Sequence, residues 1–149
     1  MMGVADVEAL IPHRGPMRLV EGFERPVDQR VVAFAEVRET WPTVQDGSAQ
    51  TLLLIELVAQ AGGVLQGWRE RAENKIATGG LLVGIPQMEM AKPWIPVGPK
   101  LVCDVGITHG TQNYLAFEGR VRDIDGTVWL TGAIQAYRPD FLGMFGAKP

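Results

Sequence analysis

The stretch Thr51 to Arg71, TLLLIELVAQAGGVLQGWRER, is the only long segment that reads as a helix, and it constrains everything around it. From Leu52 to Leu65 it is almost wholly apolar, so it must be buried along most of its circumference. Two residues break the run, Glu56 and Gln60, and at i and i+4 they share one face. A carboxylate among Leu54, Ile55, Leu57 and Val58 is costly to bury unless something pairs with it or protonates it. Small residues follow at Ala59, Ala61, Gly62 and Gly63. Two glycines inside a helix cost roughly 1 kcal/mol each relative to alanine, a cost that close approach of another backbone or a ligand would offset. Two readings stay open: a functional carboxylate, or a structural one held by Gln60 and a backbone group.

The rest of the composition narrows the function. A chain of 149 residues predicts one domain, 1–149, with one core. No apolar run is expected to reach the roughly 20 residues of a membrane span, and the N-terminus lacks the basic region and cleavage site of a leader. A single Cys103 leaves no internal disulfide and fits a reducing cytosol, hence a cytoplasmic protein. A net charge of -3 with no basic stripe speaks against nucleic acid. Two histidines and one cysteine, without clustered carboxylates, make no metal site, and no phosphate-binding glycine motif suggests a nucleotide cofactor.

Around the helix the chain reads as mostly β. Val4 to Ile11 predicts a short amphipathic helix ended by Pro12, and His13 to Pro16 a tight connection. Strands are expected over Met17–Phe23, Arg30–Arg38, Gly80–Ala91, Lys100–Thr108, Asn113–Asp123 and Thr127–Tyr137. Pro86 implies an edge, bulge or bend. Asp125-Gly126 suggests a two-residue hairpin turn, and Ser48 a cap for the long helix. The tail from Pro139 carries few cues. An antiparallel sheet wrapped around the helix covers its apolar sides. The side bearing Glu56 and Gln60 is left for a second subunit or a substrate.

Three motifs resemble one family. Leu10-Ile11-Pro12-His13-Arg14-Gly15-Pro16-Met17 is similar to the opening segment of the 3-hydroxyacyl-carrier-protein dehydratases of fatty-acid synthesis. Ile55-Glu56-Leu57-Val58-Ala59-Gln60-Ala61 resembles their central-helix motif, and Pro96-Val97-Gly98-Pro99 their Pro-Val-x-Pro-Gly turn. Within that group the chain looks most like the small dehydratase-like proteins found with aryl-polyene and polyketide-type synthesis genes. The resemblance implies an α+β hotdog fold: an antiparallel sheet of about six strands around one long central helix. It also implies a dimer, or an assembly of dimers, whose sheets join edge to edge. The implied substrate is an acyl thioester on acyl carrier protein or coenzyme A.

The resemblance breaks at one place. Where the dehydratases carry Gly-His-Phe-Pro-Gly, whose His removes the α-proton, this chain has Glu39-Thr40-Trp41-Pro42-Thr43-Val44. Neither Trp41 nor Pro42 accepts a proton. Glu56 suits the acid of a dehydration, and His13 is the one candidate base by family position, though a structural turn histidine is its alternative. Gln60, Thr51 at the helix start and Trp41 are the candidate substrate-binding residues. A thioesterase using Glu56 as base or nucleophile, and a non-catalytic acyl-binding or assembly protein, are the competing readings.

Overall fold

Pro86 cannot donate to a sheet ladder, and the strand carrying it runs along an edge, as the sequence implied. The computed structural model describes residues 1–74, 80–111 and 113–137. In order, α1 (Val4–Glu8) and a 3-10 turn (Gly15–Met17) precede β1 (Gly22–Phe23), β2 (Arg30–Glu36) and β3 (Ser48–Gln50). A second 3-10 turn (Thr51–Leu53) leads into α2 (Leu54–Ala72). Then come β4 (Leu81–Met90), β5 (Trp94–Pro96), β6 (Lys100–Gly110), β7 (Tyr114–Asp123) and β8 (Val128–Tyr137). Six strands form one antiparallel sheet in the order β1-β2-β6-β7-β8-β4, and β3 pairs separately with β5. The register of β4 on β8 slips on both sides of Gly84, next to the proline.

Helix α2 packs against β2, β6, β7 and β8. Leu54, Leu57, Val58, Ala61, Val64 and Leu65 are fully buried and meet Ala33, Cys103, Val105, Val121 and Leu130 in one core. Gly119 sets how close helix and sheet come, since a Cβ there would lie 2.5 Å from Val58 Cγ1. The Thr51–Ala72 segment, 22 residues, does reach membrane-span length and apolarity, contrary to expectation. Its apolar surface is satisfied by the sheet instead.

Other expectations need correction. The strand predicted over Met17–Phe23 shrinks to Gly22–Phe23, because the backbone N–H groups of Leu19 and Val20 bond the Gln60 side chain instead of a neighbouring strand. Ser48 does not cap the helix; it pairs with Pro96 in the small sheet, and no side chain caps α2. The β7–β8 turn is longer than two residues. The Gly126 N–H donates to the Asp123 carbonyl, Gly126 has φ 94, and the register shifts at Arg122. The tail from Pro139 lies outside the described residues.

Candidate functional site

Glu56 lies on the one stripe of α2 that the sheet leaves open. Positions 56, 59, 63 and 66 are only partly buried, while the residues between them are mostly enclosed. This stripe forms one wall of a cavity of about 180 Å³. The opposite walls come from the Leu10–His13 segment and from Leu115, Phe117, Ile134 and Ala136 of β7 and β8. Gly67 brings the N-terminal segment onto the helix, since a Cβ there would sit 2.9 Å from the Leu10 carbonyl oxygen. The small residues picked out in the sequence divide their work. Gly62 packs on the Phe117 ring, and Gly63 faces Ile11 and the cavity.

The Pro-His-Arg-Gly-Pro segment aims one imidazole at this wall. Arg14 folds back and donates to the carbonyls of Glu8, Ile11 and His13, which fixes the loop. Gly15 turns the chain at φ 58. Arg18 pairs with Glu8 at 2.7 Å. Both arginines are thus engaged in holding the segment. His13 Nε2 then stands 3.2 Å from Glu56 Oε1, with the two side chains 32% and 31% exposed. His13 Nδ1 is enclosed and has no hydrogen-bond partner among the described residues. Glu56 is therefore not the deeply buried carboxylate its neighbours suggested; it opens onto the cavity.

Gln60 holds the arrangement together. Its Nε2 donates to Glu56 Oε1 at 3.0 Å and to the Met17 carbonyl at 2.7 Å. Its Oε1 accepts from Leu19 N–H at 2.8 Å and from Val20 N–H at 3.3 Å. Both donors and both acceptor positions of the amide are occupied, and the residue is 1% exposed. It ties helix, carboxylate and N-terminal segment to one another and has no valence left for a ligand. Thr51 and Trp41 do not join the site. Thr51 is fully buried with its N–H on the Pro93 carbonyl, and Trp41 sits in the core; neither lines the cavity. Reading the sequence did not single out Gln66, Gly67, Glu70, Leu115 or Phe117. The helical spacing from Glu56 through Gly63 to Gln66 and Glu70 was the signal for the helix members.

The model of the ApeP-like family, described as ApeP dehydratase, matches residues 5–146. The chain belongs to the ApeP-like dehydratase family. Among solved structures it is similar to the dehydratase heterocomplex ApeI:P from Xenorhabdus doucetiae, with a TM-score of 0.85, 27% identity and coverage of 94% of this chain and 95% of that one. Among curated relatives it is 26% identical over 139 residues to the 3-hydroxyacyl-[acyl-carrier-protein] dehydratase FabZ of Clostridium perfringens, covering 90% of this chain and 96% of that protein. A hypothetical thioesterase from Streptococcus pneumoniae, solved with coenzyme A, shares the fold at 14% identity and a TM-score of 0.58, over 77% and 82% of the two chains. The ApeP-like membership and these neighbours establish a hotdog fold in a dehydratase family, as the sequence motifs implied.

Proposed function

We propose that this protein dehydrates 3-hydroxyacyl thioesters carried by acyl carrier protein or coenzyme A, with His13 as base and Glu56 as acid. The observation that carries the reading is the 3.2 Å approach of His13 Nε2 to Glu56 Oε1 at the wall of an apolar cavity. Dehydration breaks the α C–H and β C–O bonds, so it needs a proton acceptor and a proton donor side by side. His13 and Glu56, in contact at the cavity wall, are placed to serve as that pair. The α-proton goes to His13, the electron pair forms the double bond, and the Glu56 proton leaves with the hydroxyl as water. A basic side chain thus stands beside the helix carboxylate although Trp41 and Pro42 occupy the usual histidine region. Membership of a dehydratase family supports the same direction.

The thioesterase reading receives less support. A thioesterase that holds the carbonyl at the helix start needs free N–H groups there, whereas Thr51 is buried with its N–H engaged. Pairing through β4 completes the proposal. This edge strand exposes Leu81, Leu82, Val83 and Ile85, of which Leu82 also lines the cavity, a surface suited to a second hotdog chain. The test is a parallel assay of enoyl formation and thiol release on 3-hydroxyacyl thioesters. Enoyl product that disappears in Glu56→Gln supports the proposal; thiol release that disappears in the same variant replaces it with a thioesterase.

A further inference from the structure

Three glycines, Gly62, Gly63 and Gly67, lie inside α2, where alanine is the better helix former, and packing accounts for two of them. At Gly67 a Cβ would lie 2.9 Å from the Leu10 carbonyl oxygen, and that backbone is held in place by Arg14. At Gly62 a Cβ would meet three carbons of the Phe117 ring, the nearest at 3.2 Å. At Gly63 it would press on one atom, the Ile11 Cγ2 methyl at 3.1 Å, and on nothing else within 4 Å outside its own helix turn among the described residues. Ile11 lines the cavity, so it has open space to yield into. Gly63 is ordinary α-helix, so its backbone does not call for glycine either. What the missing side chain does leave is room. Gly63 lines the cavity seven residues after Glu56, about 10 Å along the axis at 1.5 Å per residue. The other walls at that depth are apolar, from Ile11, Leu115, Phe117 and Ile134.

We infer that Gly63 sets the bore of this cavity and thereby admits long acyl tails, which run from the His13–Glu56 pair along α2 and past the second helical turn. The inference rests on the acyl-thioester reading of the site and adds tail length to it. A tail laid along α2 buries its methylenes against apolar walls, and each one that enters adds to affinity. A methyl added at position 63 occupies the space the tail needs, and a branched side chain there closes the gap between α2 and Ile11. A tail that stops above Gly63 never meets the added atoms. Position 63 therefore acts on long tails and not on short ones, and the helix forgoes alanine's better propensity to keep the passage open.

The experiment takes straight-chain 3-hydroxyacyl coenzyme A thioesters from 3-hydroxybutyryl to 3-hydroxytetradecanoyl. Affinity, by calorimetry, and kcat/KM for enoyl formation are measured on the full chain as wild type, Gly63→Ala and Gly63→Val. Wild-type affinity is expected to climb with length, by about fourfold at most for each methylene that enters. The ratio of long-tail to butyryl affinity should fall about threefold in Gly63→Ala and about tenfold or more in Gly63→Val, with kcat/KM following it. Thermal unfolding supplies the control: Gly63→Ala should keep or raise Tm, whereas Gly67→Ala should lower it, because only the second meets backbone. Wild-type affinity that ignores tail length overturns the inference. So does an unchanged ratio in the folded variants; should Gly63→Val not fold, Gly63→Ala decides alone. A Tm loss in Gly63→Ala as large as that in Gly67→Ala also overturns it, since Gly63 would then be a packing glycine. A length preference in affinity that falls in the variants, without enoyl product from any thioester, keeps the inference and sinks the dehydratase reading. Enoyl formation with a ratio that Gly63 does not move does the reverse, so the two fail separately.

Discussion

Replacing Gln60 with leucine tests whether one amide holds the site together. Leu19 and Val20 are at most 1% exposed, so their N–H groups have no water to turn to once Gln60 Oε1 is gone. Each orphaned buried donor costs about 1–3 kcal/mol. Met17 is exposed, so its carbonyl can be resolvated and adds little. The leucine returns part of this through apolar burial, on the order of 1–2 kcal/mol. For the two donors together, less that return, the net loss centres on about 2–3 kcal/mol, a large share of the roughly 5–15 kcal/mol of a domain. For a chain of this size that lowers Tm by about 5–10 °C. Urea unfolding followed by circular dichroism measures it, with Glu56→Gln as control. That control keeps the bonds from Leu19 and Val20 to Gln60 and should move stability by less than about 1 kcal/mol. A change below about 0.5 kcal/mol in Gln60→Leu would refute the claim that this amide satisfies the N-terminal segment.

Two further predictions concern groups away from the site. Cys103 is fully enclosed, and burial, with the neighbouring Asp104 charge adding to it, pushes its thiol far above the ordinary range. A thiol reagent at pH 8 should therefore label the folded protein hundreds of times more slowly than the urea-unfolded chain; comparable rates would contradict the packing of α2 on β6. At Glu21, burial pushes the carboxyl up, but the hydrogen bonds and charge of Arg38 outweigh it and hold the group below its ordinary 4.5. A carboxyl lowered in the folded state stabilises above the unfolded value and loses that contribution as pH falls through the folded one. Glu21→Gln should accordingly weaken the protein at pH 7 and flatten its stability loss below about pH 4.5. An unchanged acid slope would show that the Arg38 contact is not coupled to folding.

The parts of this fold that were legible in the sequence are those set by local pattern. The apolar run after Thr51 demanded cover, and the sheet supplies it. Pro86 demanded an edge, and β4 is one. The distortions came from long-range side chains. Leu19 and Val20 fall in a segment that reads as a strand, but Gln60, some forty residues away, takes their N–H groups. Ser48 has the chemistry of a cap, yet the ladder with Pro96 claims its backbone. In the site, the sequence pointed to Glu56 and named His13 from family position alone. Their contact depends on Arg14 and Gly15 bending the N-terminal segment back over α2, which no spacing rule reports. Gln60 was picked out as a ligand-binding residue because a polar side chain in an apolar helix needs a partner; the partners are backbone groups and Glu56. Gln66 and Glu70 were hidden for the opposite reason, since polar residues near a helix end read as an ordinary solvated face.

The most direct test of the dehydratase account is run in reverse. The protein is given an enoyl thioester in D₂O, and the 3-hydroxyacyl product is examined by mass spectrometry and proton NMR. The account predicts one deuterium at the α-carbon, delivered by His13, with incorporation lost in His13→Asn and in Glu56→Gln. Incorporation at the wild-type rate in His13→Asn, or thiol release with no deuterium at the α-carbon, would contradict it.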